Sequence, residues 1–400
     1  MFGVLPWAEA GPQDLSIGIW EKFINRAAVP LLMSSKVYFA SMSADKAAEA
    51  PINRISALWE KAGFGQLFKK SDFVAVKCHF GEPGNTAFVA PMYLRRVVDL
   101  LHHGGQRPFL TDANTLYAGK RSNAVDHLLT AQFHGFTPYT VDAPVIIADG
   151  LNGRDHVNVP IKGKHFKSVK IGSAAVHADG MISVAHVKGH MLAGFGGAFK
   201  NIGMGLGSRA GKQQMHSDVK PKINVSKCKK CGRCGRHCPE SAISLVGDVM
   251  KIDEKKCVGC GECVQNCYEH AIAVNWQTDN KVFQEKMVEY FLGAVKDKPV
   301  GYFNFVMNVS PDCDCMDFSG AFIVPDIGIL ASLDPVAIDK ASVDLINSKL
   351  GLAGTAIGSH IKEGDDKIAA IDERGIEWEH QLKYAEELGL GSRKYEMIRL

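Results

Sequence analysis

Short runs of apolar and β-branched residues alternate along the chain with longer stretches in which apolar positions recur every three or four residues. The runs at 73–78 (FVAVKC), 108–112 (PFLTD), 145–149 (VIIAD), 181–187 (MISVAHV) and 300–309 (VGYFNFVMNV) have the length and residue types of strands. The stretches 50–64, 87–105, 280–297 and 334–351 carry the helical period. In the last, Asp334 is placed to cap the N-terminus, Pro335 suits the first helical position and Gly351 closes the helix. Strands alternating with helices predict an α/β domain, a mostly parallel sheet with helices on its faces. The C-terminal flank has too few strands for a sheet of its own. The pattern therefore predicts one α/β domain assembled from residues 33–220 and 277–400, with residues 221–276 inserted. Residues 1–32 read unlike the rest, whereas Met33 opens a strand and then a helix. The first 32 residues are expected to be an extension or a start-site artefact.

The interrupting segment carries eight of the eleven cysteines, in two runs 29 residues apart: CKKCGRCGRHCPESAI from Cys228 and CVGCGECVQNCYEHAI from Cys257. The runs also share Gly232/Gly261, Glu240/Glu269, Ala242/Ala271 and Ile243/Ile272, which makes them an internal repeat with implied twofold pseudosymmetry. In the spacing C-x2-C-x2-C-x3-C, three thiolates reach three irons of a cubane from one tight loop, while the fourth starts the next helix and points elsewhere. Two runs complete one another by exchange. Cys228, Cys231, Cys234 and Cys267 are then expected to hold one [4Fe-4S] cluster, and Cys257, Cys260, Cys263 and Cys238 a second. The competing readings are a zinc ribbon or a disulfide knot. Zinc sites mostly use two C-x2-C pairs, and disulfide scaffolds spread their cysteines along a short chain. Residues 221–276 resemble the bacterial two-cluster ferredoxin domain, an α+β fold. One departure is Tyr268, where a proline often follows the last cysteine, and it should alter packing rather than ligation.

Further candidate chemistry lies where the strands of the α/β domain emerge, since sites in open α/β sheets gather at strand carboxyl ends. Cys78, His79 and Glu82 follow the first run, and Asp112, Asn114, Tyr117, Lys120 and Arg121 the second. In ISVAHVKGH, strand alternation places Ile182, Val184, His186, Lys188 and His190 on one face, or else these are loop-surface residues. His79, Lys188 and His190 are the candidate catalytic residues. The stretch 189–212 holds eight glycines and is expected either to aim backbone N–H groups at an anion, helped by Lys200, Arg209 and Lys212, or to be a tight, flexible loop. It matches neither a Walker A motif nor a dinucleotide fingerprint. Cys78, Cys313 and Cys315 are expected to converge at one rim as a further metal or cluster site. The alternatives are a buried apolar role for Cys78 and a redox dithiol for Cys313 and Cys315.

Composition narrows the function classes. Apolar residues make up 46% and charged residues 22%, with a net charge of +3, an ordinary globular balance. No basic run argues for nucleic acid, no apolar run reaches membrane-span length, and the first residues make a poor secretion signal. Clustered cysteines point to a reducing, cytoplasmic setting. Lys227, Lys229, Lys230, Arg233 and Arg236 surround the first cysteine run, where they serve solubility or receive an acidic redox partner.

The flanks, through VKCHFGEPGNTAF, TDANTLYAGKR, HVKGHMLAGFGGAFKNIGMG, SPDCDC and DIGILASLDPVAID, resemble domain-of-unknown-function family 362 over residues 35–395. That resemblance implies an iron–sulfur protein of an anaerobe and no established reaction. The glycine and histidine pattern is also similar to that of nickel-pincer lactate racemases, a likeness of fold that does not carry function. Two function classes follow. One is an oxidoreductase passing electrons to an anionic small molecule at the α/β rim. The other is a non-enzymatic electron carrier or a cluster or metal delivery protein.

Overall fold

The computed structural model describes residues 35–117, 119–216, 221–257, 259–273, 279–371 and 375–400. The expected extension, residues 1–32, lies outside them. Eight strands form the central sheet: β1 (Ser35–Ser41), β2 (Phe73–Lys77), β3 (Arg107–Asp112), β4 (Val145–Ile147), β5 (Gly180–His186), β6 (Val300–Val306), β7 (Gly328–Ser332) and β8 (Tyr395–Arg399). Their order is β8-β1-β7-β6-β5-β2-β3-β4. The block β6-β5-β2-β3-β4 is parallel, β1 and β8 pair in parallel, and β7 runs antiparallel between β1 and β6. Strands from before and after the cysteine-rich segment thus share one sheet.

Strand alternation sends side chains to two apolar layers. Val74, Val76, Leu110, Ile182, Val184, Phe303 and Phe305 pack with helices α1 (Pro51–Lys61) and α2 (Pro91–His103). Ala75, Phe109, Met181, Tyr302 and Leu330 face the other way. There they meet α5 (Asn280–Val295), α6 (Pro335–Asn347) and α7 (His380–Glu387), which follow α3 (Ala124–Phe133) and α4 (Arg209–His216) in the chain. Asp334 caps α6 as expected, its Oδ1 accepting from the Val336 and Ala337 N–H groups at 2.8 and 2.9 Å. The helix ends at Asn347, short of Gly351. That glycine instead bonds through its N–H to the Ile361 carbonyl, at a chain crossing where a Cβ would lie 2.9 Å from Ile361 Cα.

The segment between α4 and α5 leaves and returns at one place. Lys222–Ile223 pairs antiparallel with Ile272–Ala273. Between them lie a hairpin, Ile243–Val246 with Val249–Ile252, and two four-residue helices, Arg233–Arg236 and Glu262–Gln265. The sequence repeat is also a backbone repeat. Gly232 and Gly261 have φ of 69° and 75°, Lys230 and Gly259 56° and 65°, and Ser241 and His270 both 48°. The Ala242 N–H reaches Cys238 Sγ at 3.2 Å, and the Ala271 N–H reaches Cys267 Sγ at the same distance. Cys234, Ile243, Met250, Cys263 and Ile272 form a small buried core. Among the described residues, no helix is long and apolar enough to cross a membrane.

Candidate functional site

None of the eleven cysteines is in a disulfide. The eight of the repeat line two separate cavities. Cys228, Cys231, Cys234 and Cys267 surround one of about 230 Å³. Cys238, Cys257, Cys260 and Cys263 surround one of about 20 Å³. Each cavity takes three thiols from one run and the fourth from the other. Tyr268 lines the larger, with the Arg233 guanidinium stacked 3.7 Å from its ring centroid and bonded to its hydroxyl. Among the described residues, no three His, Cys, Asp or Glu side chains are grouped as ligands of a single metal ion. Four thiols spread around a hollow differ from such a group, because a cubane gives each thiolate its own iron.

A third cavity, of about 390 Å³, opens at the carboxyl ends of the parallel strands, within the size range of small-molecule sites. Lys77, Arg121, Lys188, Lys200 and Lys212 line it, with Asp112 and Asp312. All five cations are buried. Lys77 Nζ lies 3.1 Å from Asp112 Oδ1 and 3.0 Å from Asn201 Oδ1. Arg121 reaches Glu82 at 3.1 Å, Asp112 at 3.3 Å and the Tyr117 hydroxyl at 2.6 Å. Lys188 Nζ is 3.0 Å from Asp314 Oδ2, and His186 Nδ1 is 2.8 Å from Asp314 Oδ1. Glu82 and Asp314 stand behind the wall, so the charged side chains that line the cavity are five cations against two carboxylates, set among apolar residues that make up most of its surface. Burial pulls the Lys212 ammonium down to about 8, even against the attraction of Asp149 and Asp112. Burial, reinforced by Arg121, holds His79 well below the usual imidazole range. The Gly81 N–H donates to His79 Nδ1 at 3.0 Å, so its proton sits on Nε2. In His190, Nδ1 accepts from the Leu192 and Ala193 N–H groups at 3.2 and 3.1 Å, which likewise assigns the ring proton to Nε2.

His79, Lys188, His190, Lys200 and Lys212 therefore meet at one cavity together with Cys313 and Cys315. Four expectations are corrected. Cys78 does not join them: it follows Lys77 by one residue, so alternation turns it into the apolar layer under α2, where burial pushes its thiol up. Arg209 does not line the cavity. It is buried against the cysteine-rich segment, 2.7 Å from Glu262, which Arg154 also reaches at 2.9 Å. Strand alternation does not run through residue 190, because β5 ends at His186 and Lys188–His190 starts a separate hairpin with Gly194–Gly196. Nor is 189–212 a loop of anion-facing N–H groups. It folds into that hairpin, a π-helical turn at Lys200–Met204 and the start of α4, and it offers Lys212 the carbonyls of Gly205 and Gly207 at 3.3 and 2.6 Å.

Lys77 was hidden in an apolar run. Its place depends on Gly205, where a Cβ would sit 2.5 Å from Lys77 Nζ. The cysteine-rich segment adjoins the same cavity, since Gly261 lies against Leu116 of its wall, where a Cβ would come within 2.9 Å of the leucine. Glu262→Ala is expected to leave Arg209 buried without its carboxylate and to destabilise the protein by about 3–5 kcal/mol, measured by urea unfolding.

Residues 74–344, more than half of the chain, match the family described as Domain of unknown function (DUF362). The chain belongs to this family. The matched span includes both cysteine runs and the strands around the cationic cavity. No curated protein matches. Among solved structures, the chain is similar to the lactate racemase apoprotein from Thermoanaerobacterium thermosaccharolyticum, at 13% identity over 68% of this chain and 51% of that one, with a TM-score of 0.36. It is also similar to a Thermotoga maritima protein, at 9% identity over 66% and 52%, with a TM-score of 0.35. The chain spans about half the length of these structures, and likenesses this low carry no argument about function.

Proposed function

We propose that this chain is an iron–sulfur protein in which an inserted ferredoxin-like segment holds two [4Fe-4S] clusters beside a cavity that binds a small anionic molecule for reduction or oxidation. The observation that carries the reading is the crossed lining of the two cysteine cavities, three thiols from one run and one from the other. The residues fit the group. Four thiols face each hollow, the two halves repeat in backbone angles, and main-chain N–H groups already point at Cys238 and Cys267. Cys228, Cys231, Cys234 and Cys267 would hold one cluster, and Cys238, Cys257, Cys260 and Cys263 the other. When bound, such clusters supply and accept single electrons. Cys231 and Lys229 are exposed, which leaves that side open to a redox partner.

The chain's own residues supply the rest. Lys200 and Lys212 bind and orient the anion, the Lys188 ammonium is the proton donor, and the Nε2–H groups of the neutral His79 and His190 rings donate hydrogen bonds to the bound molecule. Charged hydrogen bonds to an anion contribute about 1.5–3 kcal/mol each. Lys212 makes the affinity pH-dependent. It is cationic below about 8 and loses its proton as pH rises through that value. Oxalate binding to the full chain, followed by calorimetry, is expected to be constant near neutral pH and to weaken by up to about tenfold per pH unit above about 8. Lys212→Met should bind weakly at every pH. Absence of oxalate and phosphate binding in the wild type would overturn the cavity's assignment.

A further inference from the structure

Cys313 sits in the wall of the cationic cavity under conditions that suit a nucleophile. Lys200 Nζ approaches its sulfur at 2.8 Å, and the Cys315 N–H donates to it at 3.2 Å. Burial alone would raise the Cys313 thiol, but a hydrogen bond from the Cys315 thiol, with the Lys200 and Lys188 ammonium groups, overrides it and holds Cys313 well below the ordinary thiol range. The same bond, together with partial burial, pushes its donor Cys315 well above that range. The pair is one thiolate and one thiol. Among the described residues, neither is grouped with other ligands around a metal ion. Thiolates are the reactive form, and an adjacent cation is the usual way to keep one at neutral pH.

Resting on the anion-cavity reading above, we propose that Cys313 attacks the carbonyl carbon of a small anionic aldehyde or 2-oxo acid, whose charge is held by the surrounding lysines. One S–C bond forms. The C=O π pair moves onto oxygen, which takes a proton from the Lys188 ammonium, and reversal restores both groups. No oxidant or reductant is required. The adduct is a thiohemiacetal or thiohemiketal on Cys313.

The test is competitive labelling of the full chain, purified without oxygen, by iodoacetate or iodoacetamide at neutral pH, with each cysteine followed by peptide mass spectrometry. Cys313 should react at least about tenfold faster than Cys315 or Cys78. Iodoacetate should be preferred to its neutral amide, and glyoxylate should slow the labelling. Lys200→Met should lower the Cys313 rate by about tenfold or more at neutral pH and recover it at alkaline pH, whereas Lys200→Arg should retain it. Unfolded Lys200→Met would show itself by uniform labelling of Cys78, and the wild-type comparison then decides. Labelling of Cys313 no faster than Cys315 overturns the nucleophile, and does so even where oxalate binding stands. Fast labelling without protection by glyoxylate overturns the carbonyl substrate. Fast labelling with a preference for the neutral amide overturns the anion cavity itself.

Discussion

Replacing Cys267 with serine is expected to remove the cluster proposed for the first cysteine run, although Cys267 belongs to the second. The reason is the crossed arrangement: Cys267 lines the cavity of Cys228, Cys231 and Cys234, and Cys238 lines that of Cys257, Cys260 and Cys263. Iron should fall from about eight to about four per chain in either single variant. The double variant Cys228→Ser/Cys267→Ser separates the arrangements. If the runs cross, both changes strike one site and about four irons remain. If each run kept its own four thiols, the two changes would strike different sites and nearly all the iron would be lost. Two changes in one site are non-additive, and changes in independent sites add.

Asp314→Ala is expected to destabilise the protein by about 3–5 kcal/mol, since breaking a buried ion pair strands its partners. Asp314 is fully buried between His186 and Lys188. Burial alone would raise its carboxyl, but the His186 hydrogen bond and the Lys188 ammonium override this and hold it well below the usual carboxylate range. The folded value is depressed, so the contribution is present in full above about 4, the unfolded carboxylate's value. It is lost as pH falls from there through the depressed folded value. Urea unfolding at neutral pH should show the loss in both Asp314→Ala and Asp314→Asn. The neutral isostere keeps the shape but not the charge. A change below about 1 kcal/mol would mean that Lys188 finds another anion, and Asp314 would no longer explain how Lys188 is kept at the cavity wall.

The fold was legible where the physics was local. The runs at β2, β3, β5 and β6 are β-branched and apolar, and α6 carries its own cap in Asp334 and Pro335. β7 was not legible. Its sequence GILAS is only five residues and opens on Gly328, a position where a Cβ would come within 2.3 Å of the Ala40 carbonyl on β1. β8 is a half-exposed edge strand, YEMIR, that looks like any mixed segment. At the site, the eight-cysteine pattern spoke for itself because every partner lies within the repeat. The cationic cavity was legible only in part: His79, Lys188, His190, Lys200 and Lys212 were named from the sequence and meet there, but the places of three other residues are set by distant parts of the chain. Lys77 needs the gap at Gly205, Arg209 is claimed by Glu262, and the direction of Cys78 depends on which face of the sheet carries the cavity. Alternation states that Lys77 and Cys78 point apart, but only the packed helices say which of them faces the cavity.

Iron and acid-labile sulfide per chain, measured on protein purified without oxygen, test the central claim most directly. The account predicts about eight of each, and about four of each in Cys267→Ser. One or two zinc ions with no sulfide, or full iron in Cys267→Ser, would contradict it.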